Sequence, residues 1–343
     1  MKDIKFIYWF AYYNDSSPSV RYRAKYPLGF MRQEHGVKSA LIIPGYHPKK
    51  MAKFLFYYCS ALFFRKRDSV IVVQRVHSNY IYANLLKFLI TIQKRYTVYD
   101  LDDADYLYLS PKTIYAFAKK CSHITAGSRA IGKHLSVYNN KIVHTSSPTP
   151  DLNISKEKRN KIFTIGWIGG FGGDHKKSLI DLVFPAIKEL EFTCVFEVMG
   201  VFKKEDETFI REYFNGCNNI SINIPSDINW RDEIEVQNRI KAFDVGIATL
   251  LDNEIQRSKS GIKAKQYLNN GVPVLATKLP ENDCVVKDGV NGFFCSDSSD
   301  FKRKLELFKF MGEDEYDTFS KNARESRLGF DLEKYYSDFS KIK

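Results

Sequence analysis

Short apolar, β-branched runs alternate with helix-length segments along this chain, and the series starts twice. The first series has apolar runs at Ile4–Trp9, Ser39–Ile43, Val70–Gln74, Thr97–Asp100, His123–Ala126 and Lys141–Val143. The second starts at Ile162–Trp167 and continues through Thr193–Met199, Ile220–Ile224, Asp244–Leu250 and Pro273–Ala276. Helical periodicity is read near 175–190, 205–215, 231–242, 262–270, 298–325 and 331–341. Strands that alternate with helices predict parallel sheets with helical crossovers. Between the series, residues 144–160 are polar, hold two prolines and lack apolar periodicity, as a linker does. The expectation is α/β: two Rossmann-like doubly wound parallel-sheet domains facing across a cleft. Residues 1–156 form the first domain and 157–325 the second, with 326–343 a terminal helix returning to the first. Ligands of such sheets sit at the carboxyl ends of the strands.

Charge separates the two series. Residues 1–150 hold 23 Lys and Arg against 8 Asp and Glu, a net of +15, whereas 151–343 carry −3. A basic half calls for an anionic partner. Nucleic acid is not expected, because no recognisable helix-turn-helix or RNA-binding signature is present. Six cysteines lack C-x-x-C spacing and seven histidines lack ligand spacing, so no metal site is expected. Met1-Lys-Asp-Ile-Lys5 runs straight into a strand without the apolar stretch of a signal peptide. Cytoplasmic location is the expectation, with contact at the inner face of the membrane.

The sharpest local feature is Ile165-Gly-Trp-Ile-Gly-Gly-Phe-Gly-Gly-Asp-His-Lys-Lys177, between a strand and a helix. Gly169, Gly170, Gly172 and Gly173 would let backbone approach a phosphate at a helix start, with Lys176 close behind. A tight turn is the alternative. A second feature, Arg257-Ser-Lys-Ser-Gly-Ile-Lys263, opens a helix. Lys259 and Lys263 lie four apart, with Ser260 and Gly261 between them, and would neutralise a leaving diphosphate. The alternative there is a solvated basic face.

In the first series, Tyr99-Asp-Leu-Asp-Asp-Ala-Asp-Tyr106 crowds four carboxylates at a strand end. Asp102 or Asp103 reads as a catalytic carboxylate, a metal ligand, a helix cap or a partner of a nearby arginine. Arg21 and Arg23 follow the first strand, where they would contact a substrate or begin a solvated helix. Two aromatic segments carry basic flanks. Residues 48–67 read equally as an interfacial amphipathic helix or a buried crossover helix. Residues 80–95 read as a buried crossover helix.

Taken in order, these segments resemble the two-domain, nucleotide-sugar-dependent retaining glycosyltransferases of family 4, which have the GT-B fold. The matching landmarks are Tyr22-Arg23, Tyr99-Asp-Leu-Asp-Asp-Ala104, Ala126-Gly-Ser128, Ile165-Gly-Trp-Ile-Gly169, Phe243-Asp-Val-Gly246, Lys259-Ser-Gly-Ile-Lys263, Gln266-Tyr-Leu, Gly271-Val-Pro-Val-Leu-Ala-Thr277 and Val286-Lys-Asp-Gly-Val-Asn-Gly292. The resemblance implies a nucleoside-diphosphate sugar on the second domain and a glycan or lipid-linked acceptor on the first. It implies retention of anomeric configuration and a role in cell-surface polysaccharide synthesis, such as lipopolysaccharide or capsule. No further cofactor and no metal are implied. Family members carry two glutamates separated by seven residues; here those positions hold Ser258 and Gln266. Gln266 retains a hydrogen-bonding group for a ribose. The family's diphosphate arginine falls at Gly170 and its lysine at Lys176. These departures leave two rivals: a non-catalytic sugar-nucleotide-binding or scaffold homologue, and a sugar-nucleotide epimerase of the same fold.

Overall fold

A computed structural model describes residues 4–45, 47–77 and 79–342. The chain divides into two compact units. One comprises Met1–Pro150, Ser258–Ser260 and Phe330–Lys343, the other Asp151–Arg257 and Gly261–Gly329.

The first unit holds strands β1 (Phe6–Ala11), β2 (Lys38–Ile42), β3 (Ser69–Gln74), β4 (Thr97–Leu101), β5 (His123–Ala126) and β6 (Ile142–His144). They form one parallel sheet in the order β2-β1-β3-β4-β5-β6. Side chains alternate between the faces of a strand, and the two core clusters divide accordingly. Tyr8, Phe10, Ile71, Val73, Tyr99 and Leu101 point into one core. Ile7, Trp9, Val70, Val72 and Val98 point into the other. The first core is covered by helices Pro48–Phe63, Tyr80–Ile92, Lys112–Lys120 and Arg129–Leu135. Covering the second are the segment Pro18–His35 and the terminal helix Leu332–Phe339. β3 is buried along its whole length, which suits its unbroken apolar run in mid-sheet. The order reverses between β1 and β3, which opens a crevice at their carboxyl ends.

In the second unit, β7 (Phe163–Ile168), β8 (Cys194–Met199), β9 (Ile220–Asn223), β10 (Val245–Ala248), β11 (Val274–Ala276) and β12 (Gly292–Phe294) pair in the order β12-β11-β10-β7-β8-β9. This is the dinucleotide-fold order, with its reversal between β7 and β10. Tyr267 ties the two strands there: its hydroxyl accepts from Ile168 N at 2.9 Å and donates to Ile247 O at 3.1 Å. β12 was not among the runs read from the sequence. The helical reading of 298–325 resolves into Ser298–Phe310 and Glu313–Glu325, because Met311 and Gly312 adopt extended backbone.

Each unit's first long helix contains one wide π-helical turn, Arg21–Lys25 in one and Leu179–Val183 in the other. Each is followed within two residues by a proline, Pro27 or Pro185. Proline lacks an N–H and clashes with the carbonyl four residues back, and a widened turn relieves both problems.

Candidate functional site

The second unit places its glycine-rich loop at the β7–β10 reversal. The loop is fixed to the end of β8 by Gly169 N donating to Met199 O (3.0 Å) and Phe171 N to Gly200 O (3.1 Å). Gly169 has φ +150°, and a Cβ there would stand 2.8 Å from Lys263 Cε. Only glycine satisfies both constraints. Around Gly170, Gly172 and Gly173 a Cβ would meet nothing within 4 Å. Gly173 takes a left-handed φ of +50°, which itself favours glycine; Gly170 and Gly172 line open space, and packing does not require their small size.

Lys263 belongs to helix Ile262–Asn269, which begins after Ser260 and the left-handed Gly261. Its ammonium lies 5.8 Å from the Trp167 ring centroid and 3.4 and 3.3 Å from the two ring nitrogens of His175. Asp174, in the first turn of the following helix, accepts from Asn253 Nδ2 (3.0 Å) and Gln256 Nε2 (3.1 Å). That couples the loop after β7 to the loop after β10. Two buried polar atoms at these strand ends, Trp167 Nε1 and Thr249 Oγ1, have no hydrogen-bond partner among the described residues. Buried polar groups are normally satisfied, so their position beside the loop is informative.

The other expected donor residues are distributed differently. Lys176 pairs with Asp206 at 2.6 Å and lies over the rings of Phe209 and of Phe171 in the loop, at 4.8 and 5.4 Å. Gln266 is buried one turn beyond Lys263, and Ser258 is buried as well. The Ser258–Ser260 segment groups with the first unit, where Lys259 Nζ lies 2.8 Å from Asp103 Oδ1.

In the first unit, the Asp-rich run lies where β4 ends. Asp100 is enclosed and forms an ion pair with Arg23, whose Nε donates to both carboxylate oxygens at 3.1 and 2.9 Å. Thr125 Oγ1 donates to the same carboxylate at 2.7 Å, and Arg23 reaches Thr145 Oγ1 at 2.8 Å. Burial alone would lower the Arg23 pKa, but Asp100 more than reverses this and holds it above the usual arginine range. The π-helical turn buries Arg21 and Arg23 inside the unit; of the two sequence readings, this removes the solvated helix start and leaves neither side chain exposed for direct contact with an acceptor.

Asp102, Asp103 and Asp105 converge on one residue that sequence reasoning missed, Arg75. Its Nη1 lies 3.5 Å from Asp102, 2.8 Å from Asp103 and 3.0 Å from Ser19 Oγ. Its Nε and Nη2 bind Asp105 at 2.9 and 2.7 Å. Arg75 directly follows β3 and has φ +51°. A charge just beyond the apolar run of a central strand was the available signal. His77 Nε2 is 3.0 Å from Asp105 Oδ2. The carboxylates are therefore charge-compensated by arginines; among the described residues no group of three His, Cys, Asp or Glu is arranged to hold a metal.

The environments of Asp102 and Asp103 separate their acidities. Burial pushes Asp102 above the usual carboxylate range, against the pull of Arg75. Burial also acts on Asp103, but Lys259 and Arg75 more than offset it and hold that carboxyl at about 2. Adjacent carboxyls with opposed environments are a recurring acid–base arrangement. The backbone of Asp102 is set by Gly127, whose N donates to Leu101 O at 2.8 Å and whose Cα faces Asp102.

Comparison with solved structures places this architecture with the GT-B proteins. Sucrose-phosphate synthase from Thermosynechococcus elongatus aligns over 98% of each chain, with a TM-score of 0.72 at 12% identity. A glycosyltransferase from Rickettsia africae aligns over 99% of this chain and all of that one, with a TM-score of 0.68 at 14% identity. The Anabaena protein HepE, solved in complex with UDP-glucose, aligns over 98% of each chain, with a TM-score of 0.67 at 13% identity. At such identities the likeness establishes the fold. No family model and no curated protein sequence matches the chain.

Proposed function

We propose that the protein is a retaining glycosyltransferase: its second unit binds a nucleoside-diphosphate sugar, and its first binds a glycan or lipid-linked acceptor. The observation that carries this reading is the loop after β7. Gly170 and Gly172 border open space with neither packing nor backbone conformation to require glycine, and the Lys263 side chain lies across Gly169. Backbone N–H groups at that helix start and one ammonium suit a diphosphate. UDP-glucose bound to HepE, a protein of the same fold, adds support.

In the reaction, the bond between anomeric carbon and phosphate breaks. Positive charge develops on the sugar and negative charge on the departing diphosphate. Lys263 and the Gly172–Gly173 amides stabilise the diphosphate, so the scheme requires no metal ion. Gln266 holds the ribose. Asp102 receives or orients the acceptor hydroxyl proton, since its raised pKa brings it nearer to neutral working pH. Arg75, Asp103 and Lys259 hold that carboxyl in place. Arg23 supports the acceptor side from inside, through its pair with Asp100, and the buried Arg21 lies in the same helical turn.

A second reading is favoured by Ser258, buried where the family's first glutamate falls: a homologue that binds the sugar nucleotide without turning it over. One experiment separates them. Thermal-shift screening with UDP-, GDP-, ADP- and dTDP-sugars is followed by an assay for release of the nucleoside diphosphate. Stabilisation with release supports the enzyme; stabilisation without release supports the binding protein. No stabilisation by any sugar nucleotide defeats both.

A further inference from the structure

Helix Tyr80–Ile92, the crossover between β3 and β4, is apolar on more than the side it buries. Its inner face, Tyr82, Ala83, Leu86, Leu89 and Ile90, is buried against the sheet. Ile81, Leu85, Phe88 and Ile92, spaced as one side of a helix, point outward and are 73%, 38%, 54% and 56% exposed. This outward stripe is wholly apolar.

The neighbouring helix Pro48–Phe63 has the same character. It buries Phe54, Tyr58 and Ala61 and turns Leu55, Phe56 and Phe63 outward, the last two 68% and 69% exposed. The helices are side by side: Tyr58 Oη donates to Leu85 O at 3.0 Å, and Gln93 Nε2 donates to Leu62 O at 2.8 Å. Together they present one continuous apolar surface, larger than singly scattered exposed residues would give.

Charge identifies what covers it. Exposed Lys49, Lys50 and Lys53 border the surface at one end. Lys66, Arg67, Lys94 and Arg95 border it at the other, where Arg65 Nη1 donates to Gln93 O at 2.9 Å and holds the two helix ends together. Neither helix carries an acidic residue; Asp68 is the one acid between residues 47 and 95. A second copy of the chain on this face would bring like charges together around a symmetric interface. An apolar face rimmed by lysine and arginine instead matches an anionic bilayer: aromatic side chains enter the headgroup boundary while the long basic side chains reach the phosphates. Among the described residues no helix is long and apolar enough to cross a membrane.

We propose that this two-helix face seats the first unit on the surface of an anionic lipid bilayer. The inference stands apart from the sugar-transfer reading, since it involves none of the same residues.

Co-sedimentation with vesicles tests it, using phosphatidylcholine alone and phosphatidylcholine mixed with phosphatidylglycerol, in low and high salt. The protein should pellet with the mixed vesicles, much less with the neutral ones, and less as salt rises. A Phe56→Ser, Phe63→Ser, Phe88→Ser variant should lose binding with an unchanged melting temperature, because all three rings are exposed. Lys49→Gln, Lys50→Gln, Lys53→Gln should weaken binding roughly a hundredfold, at about fivefold per basic residue near an anionic surface. Equal binding to both vesicle types, or none, overturns the proposal. So does a dimer in sedimentation equilibrium that the serine variant dissociates, which would make a second copy the occupant.

Discussion

Gly127 stands directly against Asp102: a Cβ on Gly127 would lie 2.7 Å from the Asp102 Cα and 3.0 Å from its Cβ. Real side chains do not approach backbone so closely, so Gly127→Ala must displace the aspartate. Sugar transfer should fall at least tenfold in the variant, because small misplacements of a catalytic group cost that much or more. Donor binding should be unchanged, since the donor loop belongs to the other unit. Steady-state kinetics beside a titration of the sugar nucleotide checks both halves.

Asp102→Asn and Asp103→Asn should move stability in opposite directions. The folded-state pKa of Asp102 is raised, so its ionised form is a burden at neutral pH. Asparagine removes that burden, leaving stability at pH 7 unchanged or higher while activity is lost. Asp103 is depressed from 3.8 to about 2, so it contributes stability above pH 3.8 that is lost as pH falls toward 2. Asp103→Asn should therefore be destabilised at pH 7, and the gap to the parent should narrow between about pH 4 and pH 2. Urea unfolding at several pH values measures this. A constant gap across that window would remove the electrostatic explanation.

Lys263→Ala should lower the transfer rate by ~10²- to 10³-fold, the usual loss when one preorganised group facing developing charge is removed. Lys176→Ala, removing a lysine whose charge is already paired with Asp206, should cost far less. Equal losses in the two variants would show that Lys176 swings to the diphosphate during turnover.

Arg75→Ala leaves three neighbouring carboxylates without their shared partner. Removing one member of a buried charge cluster typically costs 3–5 kcal/mol, and here the cost falls on the first unit. Calorimetry should show one unfolding transition shifted down and the other unmoved. Arg75→Lys should recover little, because a single ammonium cannot reproduce the two-pronged contact with Asp105.

Both sheets were legible in the sequence because a buried parallel strand is an apolar run, and eleven of the twelve strands show as such. The glycine loop was legible too, since four glycines in five residues follow directly on β7. Side-chain pairing was not. Arg23 and Asp100 are 77 positions apart, and Lys176 finds Asp206 across 30. Nothing local in the sequence announces either pair. Arg75 was hidden in the same way: a lone arginine after a strand gains meaning only once β3 and β4 lie side by side. Residues 80–95 read as a buried crossover helix, and their outward stripe was missed for a different reason. A helix this rich in apolar residues looks like a core helix in sequence, and only the packed structure shows which of them were left uncovered.

The place of Leu332–Phe339 in the first unit has a consequence for how the protein is made. Tyr335 donates its hydroxyl to Arg23 O at 3.1 Å, Phe339 stacks 6.1 Å from Trp9, and both share a core with Ile7 and Val72. A ribosome releases the strands of that sheet first but the helix that closes it last, after the whole of Asp151–Gly329. At ~5–20 residues per second the wait is roughly ten to forty seconds. Through that interval Trp9 and the apolar floor around it lie open to chaperones, and the second unit, begun later, can finish first.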